Sequence, residues 1–150
     1  VWQSLDDKYS FCRLVQYRSI EEWQTVYDTM VKSGFLADAV QRYDVVPDIE
    51  MYRPVWTKSC DLSKVQTGQI LSLSVRTTDP GYAQEWVDEL KDIFESISLI
   101  PGFMGAEVAQ NHIVAEEVLG LAHWATKPAF EGSIPMHGSG YPIRAYQAYR

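Results

Sequence analysis

Ile100-Pro101-Gly102-Phe103-Met104-Gly105-Ala106-Glu107-Val108 is the stretch on which the fold turns. A Pro-Gly pair is turn chemistry, because proline presets the first corner and glycine accepts a positive φ at the second. Before it, Asp79-Pro80-Gly81 opens a helix that runs to Ile97, with Trp86, Leu90, Ile93, Phe94 and Ile97 on its apolar face. After it, Met104–Gln110 and Glu117–Ala125 read as two strands, the second ending at His123-Trp124. A helix is therefore delivered through a tight turn into an antiparallel pair.

Outward from that point, Gln69–Thr77 alternates cleanly. Leu71, Leu73 and Val75 face one way; Ser72, Ser74 and Arg76 face the other. The tail from Phe130 to Tyr141 is poor in helix formers and predicts a short helix or none, and Ile143–Arg150 a last strand. The order β-α-β-β-(short α)-β is the ferredoxin-like, split βαβ order.

The first third repeats part of this. Val1–Ser4 is a strand remnant. Ser10–Arg18 alternates as a strand, and Ser19 with Glu22 forms a capping box for a helix over Ile20–Lys32. Its buried stripe is Trp23, Val26, Tyr27, Met30 and Val31. A short helix over Phe35–Tyr43 and a strand over Ile49–Trp56 follow; Pro54 marks that strand as an edge or a bulge. Set without gaps, Val1 falls on Val108, Gln3 on Gln110, Leu14 on Leu121, Tyr17 on Trp124, Ser19 on Thr126 and Trp23 on Phe130. The expectation is an incomplete first module over 1–56, a linker over 57–68 and a second module over 69–150. The first lacks the counterparts of roughly 69–107. Two such sheets packed sheet to sheet would cover each other.

At Pro101–Val108, with His123-Trp124 and Ala129-Phe130 behind it, the sequence resembles the antibiotic biosynthesis monooxygenase superfamily. The resemblance implies an α+β, ferredoxin-like dimeric α+β barrel. It leaves the activity wide, since the superfamily holds cofactor-independent oxygenases, haem-degrading enzymes, isomerases and proteins of other roles. Quinone-forming members carry an Asn four residues before the strand's Trp; here Gly120 stands there, and Arg13 stands before Tyr17 in the first copy. Their helix Tyr is replaced by Phe130 and Trp23. Haem-degrading members carry Trp and His on the second helix; here His137 lies in a Gly-rich loop without that Trp.

The net charge of -7 and the absence of a basic run exclude a phosphate-binding surface for nucleic acid. No apolar run reaches membrane-spanning length, and no signal peptide is visible, so a cytoplasmic location is the default. Cys12 and Cys60 read as a reduced core thiol and a loop thiol. Small residues Gly120 and Ala122 beside Trp124 suggest a hollow facing the barrel interior, with Ser72, Ser74 and Arg76 opposite. The candidate catalytic set is Trp124, Ser74, Arg13 and His137; the candidate substrate contacts are Ser72, Arg76, Gly120, Ala122 and Tyr17, with no metal. No cofactor is implied, haem being the alternative. The expected function is a cofactor-independent oxygenase acting on an aromatic or polyketide-like small molecule, or a non-catalytic binding or assembly module of the same fold. The open first module calls for a homo-oligomeric partner or an upstream segment, since an unpaired strand edge seeks pairing.

Overall fold

The central strand is β4 (Ile70–Thr77), whose alternation lets it bury one face under a helix and the other within the sheet. The computed structural model describes residues 1–43, 49–134 and 142–149. Among these, β4 pairs antiparallel with β6 (Glu117–Trp124) on one side and with β7 (Arg144–Ala148) on the other. On its far side β6 pairs with β5 (Phe103–Asn111). The spatial order β7-β4-β6-β5, with α3 (Ala83–Ile97) and α4 (Lys127–Ser133) joining the strands, is the ferredoxin-like order expected.

Three more strands extend this sheet at its edges. β1 (Trp2–Ser4) pairs with β7 and forms a hairpin with β2 (Phe11–Cys12). At the opposite end β3 (Tyr52–Lys58) pairs with β5, with a bulge between Pro54 and Trp56. The result is one seven-stranded antiparallel sheet, β2-β1-β7-β4-β6-β5-β3. The expected α+β ferredoxin-like fold is therefore present, with the seven strands in one sheet and not in two separate stacked sheets. Among the described residues β2 and β3 are the sheet's two edges.

The β1–β2 and β5–β6 pairs share one register offset. Trp2 faces Cys12 and Gln3 faces Phe11; their counterparts Ala109 and Gln110 face Leu119 and Val118. Gln3 faces Gln147 as Gln110 faces Arg53, and Ser4 faces Tyr146 as Asn111 faces Tyr52.

The core lies between the sheet and its two helices. Trp86, Val87, Leu90, Phe94 and Ile97 of α3 pack on Ile70, Ala106, Val108, Val118, Ala122 and Trp124. Full burial of side chains this size is worth about 1.5–3 kcal/mol each. The sheet also bends. Trp2 of β1 meets His123 of β6 edge-on, ring centroids 5.9 Å apart. Two strands separated by two others would lie about 14 Å apart in a flat sheet. Twist and curl bring them together and bury the helix-free face, including Leu71, Leu121 and Tyr146.

Residues 14–50 form a separate small body. It holds α1 (Ile20–Lys32) and α2 (Phe35–Val40). Ser19 Oγ accepts from Glu22 N at 3.2 Å, as the predicted cap requires, while Glu22 Oε2 accepts from Arg18 N at 2.7 Å, one residue before the cap and not from the Ser19 N–H of a full capping box. Trp23 and Tyr27 stack at 5.1 Å between centroids, yet no residue of α1 is buried. The expected buried stripe is thus an apolar face without a core.

Candidate functional site

Antiparallel register, not sequence proximity, assembles the candidate residues. Ser72 faces Ala122, Ser74 faces Gly120 and Ile70 faces Trp124 across the β4–β6 ladder. All six side-chain positions point to the sheet face that α3 covers. The expectation that Ser72, Ser74 and Arg76 line an exposed face turned toward a barrel interior is therefore corrected: they share Trp124's face. Small side chains on that face let α3 approach closely.

Trp124 is fully buried. Its indole Nε1 donates to Ser72 Oγ at 3.1 Å, and Ser72 Oγ donates onward to the Ala122 carbonyl at 3.3 Å. Phe103 and Phe130 meet the indole at 5.5 and 6.3 Å between centroids. The hollow expected beside Gly120 is largely filled, since a Cβ built there would lie 3.2 Å from both Leu90 Cδ2 and Phe94 Cζ. What remains is a cleft between β4, β6 and α3. It is lined by residues that include Ser72, Ser74, Gly120, Leu90, Phe94 and Ile143, with a volume of about 20 Å³. That is room for about one water. Leu90, Phe94 and Ile143 were missed as site walls, because a helical apolar stripe reads first as core.

Neither Arg76 nor Arg13 lines this cleft. The Arg76 guanidinium lies 4.6 Å over the Trp86 ring, a cation–π contact at the rim of the core. Arg13 is exposed, and Tyr17 belongs to the separate body of residues 14–50. His137 lies outside the described residues.

The helix-free face carries the buried titratable groups. His123 is 2% exposed, and its Nε2 lies 3.0 Å from Gln69 Oε1. That oxygen also accepts from Gln66 N at 2.9 Å, so His123 Nε2 is the donor. Burial lowers the imidazole pKa. Along the same face of the sheet, burial raises the Glu107 carboxyl above its usual range, a shift opposed by a hydrogen bond from Thr57. The Cys60 thiol is pushed up to about 12, first by burial and then by the Glu107 and Asp61 charges. Such a thiol is a poor nucleophile. Cys12 is also free and also raised by burial. Among the described residues no three His, Cys, Asp or Glu side chains are grouped to hold a metal, and no helix is long and apolar enough to cross a membrane.

Comparison with known proteins follows this geometry. Residues 72–133 match the family model for antibiotic biosynthesis monooxygenase. A candidate monooxygenase of Fusobacterium nucleatum superposes with a TM-score of 0.65 at 9% identity, over 89% of this chain and 67% of the other. An anthrone oxidase-like protein superposes at 0.63 with 17% identity, over 90% and 69%. A major regulator of staphylococcal pathogenesis reaches 0.53 at 10% identity, over 83% and 94%. At these identities the likeness is one of fold. No curated protein sequence matches the chain.

Proposed function

With residues 72–133 placing this chain in the antibiotic biosynthesis monooxygenase superfamily, we propose that it is a cofactor-independent monooxygenase for a small aromatic or polyketide-like molecule. The observation that carries this reading is the family match over residues 72–133; the place for a substrate is the cleft between β4, β6 and α3, apolar on its helix wall and hydroxyl-bearing on its strand wall, once Leu90 or Phe94 swings aside. An electron-rich phenol or enol held there loses a proton and passes electrons to O₂. One oxygen atom stays on the substrate carbon as a carbonyl and the other leaves as water. The protein's part is to exclude water and fix the substrate, with Ser74 donating to the substrate oxyanion. Trp124 acts one layer back, holding Ser72 and the strand register.

Oxygen uptake with a panel of anthrones and hydroquinones tests this. Turnover that falls on Ser74→Ala supports it. No uptake with any member of the panel overturns it.

The small enclosed volume favours a second reading, a non-catalytic binding or assembly module of the same fold. Saturable quenching of tryptophan fluorescence by the panel, without oxygen uptake, is its signature. A Soret band after addition of haemin would point to the haem alternative. A further part of the proposal is a tandem organisation, a partial first copy followed by a complete second, supported by the matched registers and by Ser19 and Thr126 capping equivalent helices.

A further inference from the structure

Resting on the reading of the cleft between β4, β6 and α3 as a substrate site, we infer that Leu90 is its gate and Phe94 its fixed wall, so that it takes a single-ring phenol or hydroquinone and refuses a fused polycycle. Antiparallel register sets the geometry. Ser74 faces Gly120, Gly120 faces Val108 and Val108 faces Trp56, so one row crosses β4, β6, β5 and β3. Gly120 is the bare point of that row. A Cβ built there would lie 3.2 and 3.3 Å from the two methyls of Leu90 and 3.2 Å from Phe94 Cζ. These side chains, one helical turn apart on α3, occupy the space over Gly120 beside Ser74. A ring set against the Ser74 hydroxyl needs one of them to leave.

The two are not held alike. Phe94 stacks on Trp56, with ring centroids 6.1 Å apart and 12° between the planes. Trp56 stands two strands beyond Gly120, so it backs Phe94 on the side away from the cleft. Turning Phe94 away would break that stack and uncover the indole. Glu95, the next residue of α3, forms an ion pair with Lys58 of β3. β3 therefore ties α3 at two successive residues, and Phe94 stays where it is. Leu90 presents only methyl groups at the end of a flexible side chain, and a leucine on a helix has two open χ1 wells. Its swing costs packing but has no ring to unstack.

The space then decides the ligand. The cleft already has room for about one water. Leu90 swinging aside adds the room of its own isobutyl group. The sum is close to one six-membered ring. Phe94 points Cζ at Gly120, so that ring meets it edge to face, an arrangement aromatic pairs favour. A second fused ring runs into Phe94, whose retreat Trp56 blocks.

Calorimetric titration of the protein under nitrogen, with hydroquinone, naphthohydroquinone and anthrone, tests this by adding one ring at a time. The wild type should bind hydroquinone and neither of the others. Leu90→Ala should bind hydroquinone at least about tenfold tighter, since a gate already open removes the cost of a sparsely populated open state. Leu90→Val should shift affinity the same way by less, and it keeps the test decisive if the alanine variant does not fold. Trp56→Leu should free Phe94 and admit naphthohydroquinone. Wild-type binding of anthrone as tight as that of hydroquinone overturns the inference. So does an unchanged hydroquinone affinity in the Leu90 variants, a Trp56→Leu protein that still refuses two rings, or no hydroquinone binding by any of these proteins. Binding and oxygen uptake fail separately: hydroquinone bound as expected without uptake removes the monooxygenase and keeps the gate, while wild-type turnover of anthrone keeps the monooxygenase and removes the gate.

Discussion

Gly102→Ala should be among the most damaging single-methyl changes in this chain, and the structure says why. Phe103 N donates to Ile100 O at 3.0 Å, closing a turn with Pro101 and Gly102 at its corners. Gly102 has φ +93°, where a Cβ is disfavoured by about 1–2 kcal/mol. A Cβ there would also lie 2.6 Å from the Ala129 Cβ on α4. Relieving that overlap moves the helix or the turn, and overpacking of this kind costs about 1–3 kcal/mol. The turn cannot shift freely, since Gly102 O accepts from Ala125 N at 2.8 Å. The sum is about 3 kcal/mol, or a Tm lower by roughly 6–12 °C for a chain of this length.

The two causes separate in a double-mutant cycle followed by urea denaturation. Ala129→Gly alone should cost about 1 kcal/mol through helix propensity. In that background the clash is gone, so Gly102→Ala should cost only the backbone strain, about 1–2 kcal/mol. A coupling energy of about 1–2 kcal/mol is expected. Zero coupling would show that the turn and α4 do not meet as described. A Gly102→Ala cost under about 0.5 kcal/mol would refute the left-handed turn itself.

Two further outcomes follow from the buried polar pairs. His123 has a lowered folded pKa, so the unfolded chain takes up the proton first; stability is full above the ordinary value of 6.5 and falls as pH drops below it, by at most about 1.4 kcal/mol per pH unit. Urea midpoints from pH 8 to 5 should show this slope, and His123→Gln should flatten it. Ser72→Ala leaves the Trp124 indole N–H buried without its acceptor and should cost about 1–3 kcal/mol; Trp124→Phe should cost a similar amount, and the double variant less than the sum. Strict additivity in urea denaturation would deny the hydrogen bond.

Much of the second half is legible in sequence because local pattern and burial agree there. β4, α3, β5 and β6 each fall within a few residues of their expected bounds. α1 begins and ends where the Ser19 cap and the periodicity place it. The strand expected over Ser10–Arg18 shrinks to Phe11–Cys12, because alternation reports a residue's fitness for a ladder and says nothing of whether a neighbour is present. Tyr17 and Arg13 were both assigned to the candidate site by that strand, and both lie beyond the two residues that form it.

The reversal of the two faces of β4 has a different cause. Alternation divides Leu71, Leu73 and Val75 from Ser72, Ser74 and Arg76, but it does not say which set a helix covers. Hydrophobicity alone assigns the helix to the leucines. Volume assigns it correctly: Ser72, Ser74, Gly120 and Ala122 form a small-residue floor into which Leu90 and Phe94 fit. The leucines instead fill the concave side, where the curl of the sheet brings its own strands together. This bears on the chemistry. The resemblance implies Asn and Tyr at the positions of Gly120 and Phe130 in quinone-forming members; here they hold no proton donor, and Leu90 and Phe94 fill the space beside Gly120. A ligand entering beside Ser74 must displace Leu90 or Phe94, so binding and the packing of α3 draw on the same contacts. Substitutions that loosen that packing, such as Leu90→Ala, should therefore lower the melting temperature while tightening binding of a quenching ligand. Loss of both together would mean that the cleft is core and nothing more.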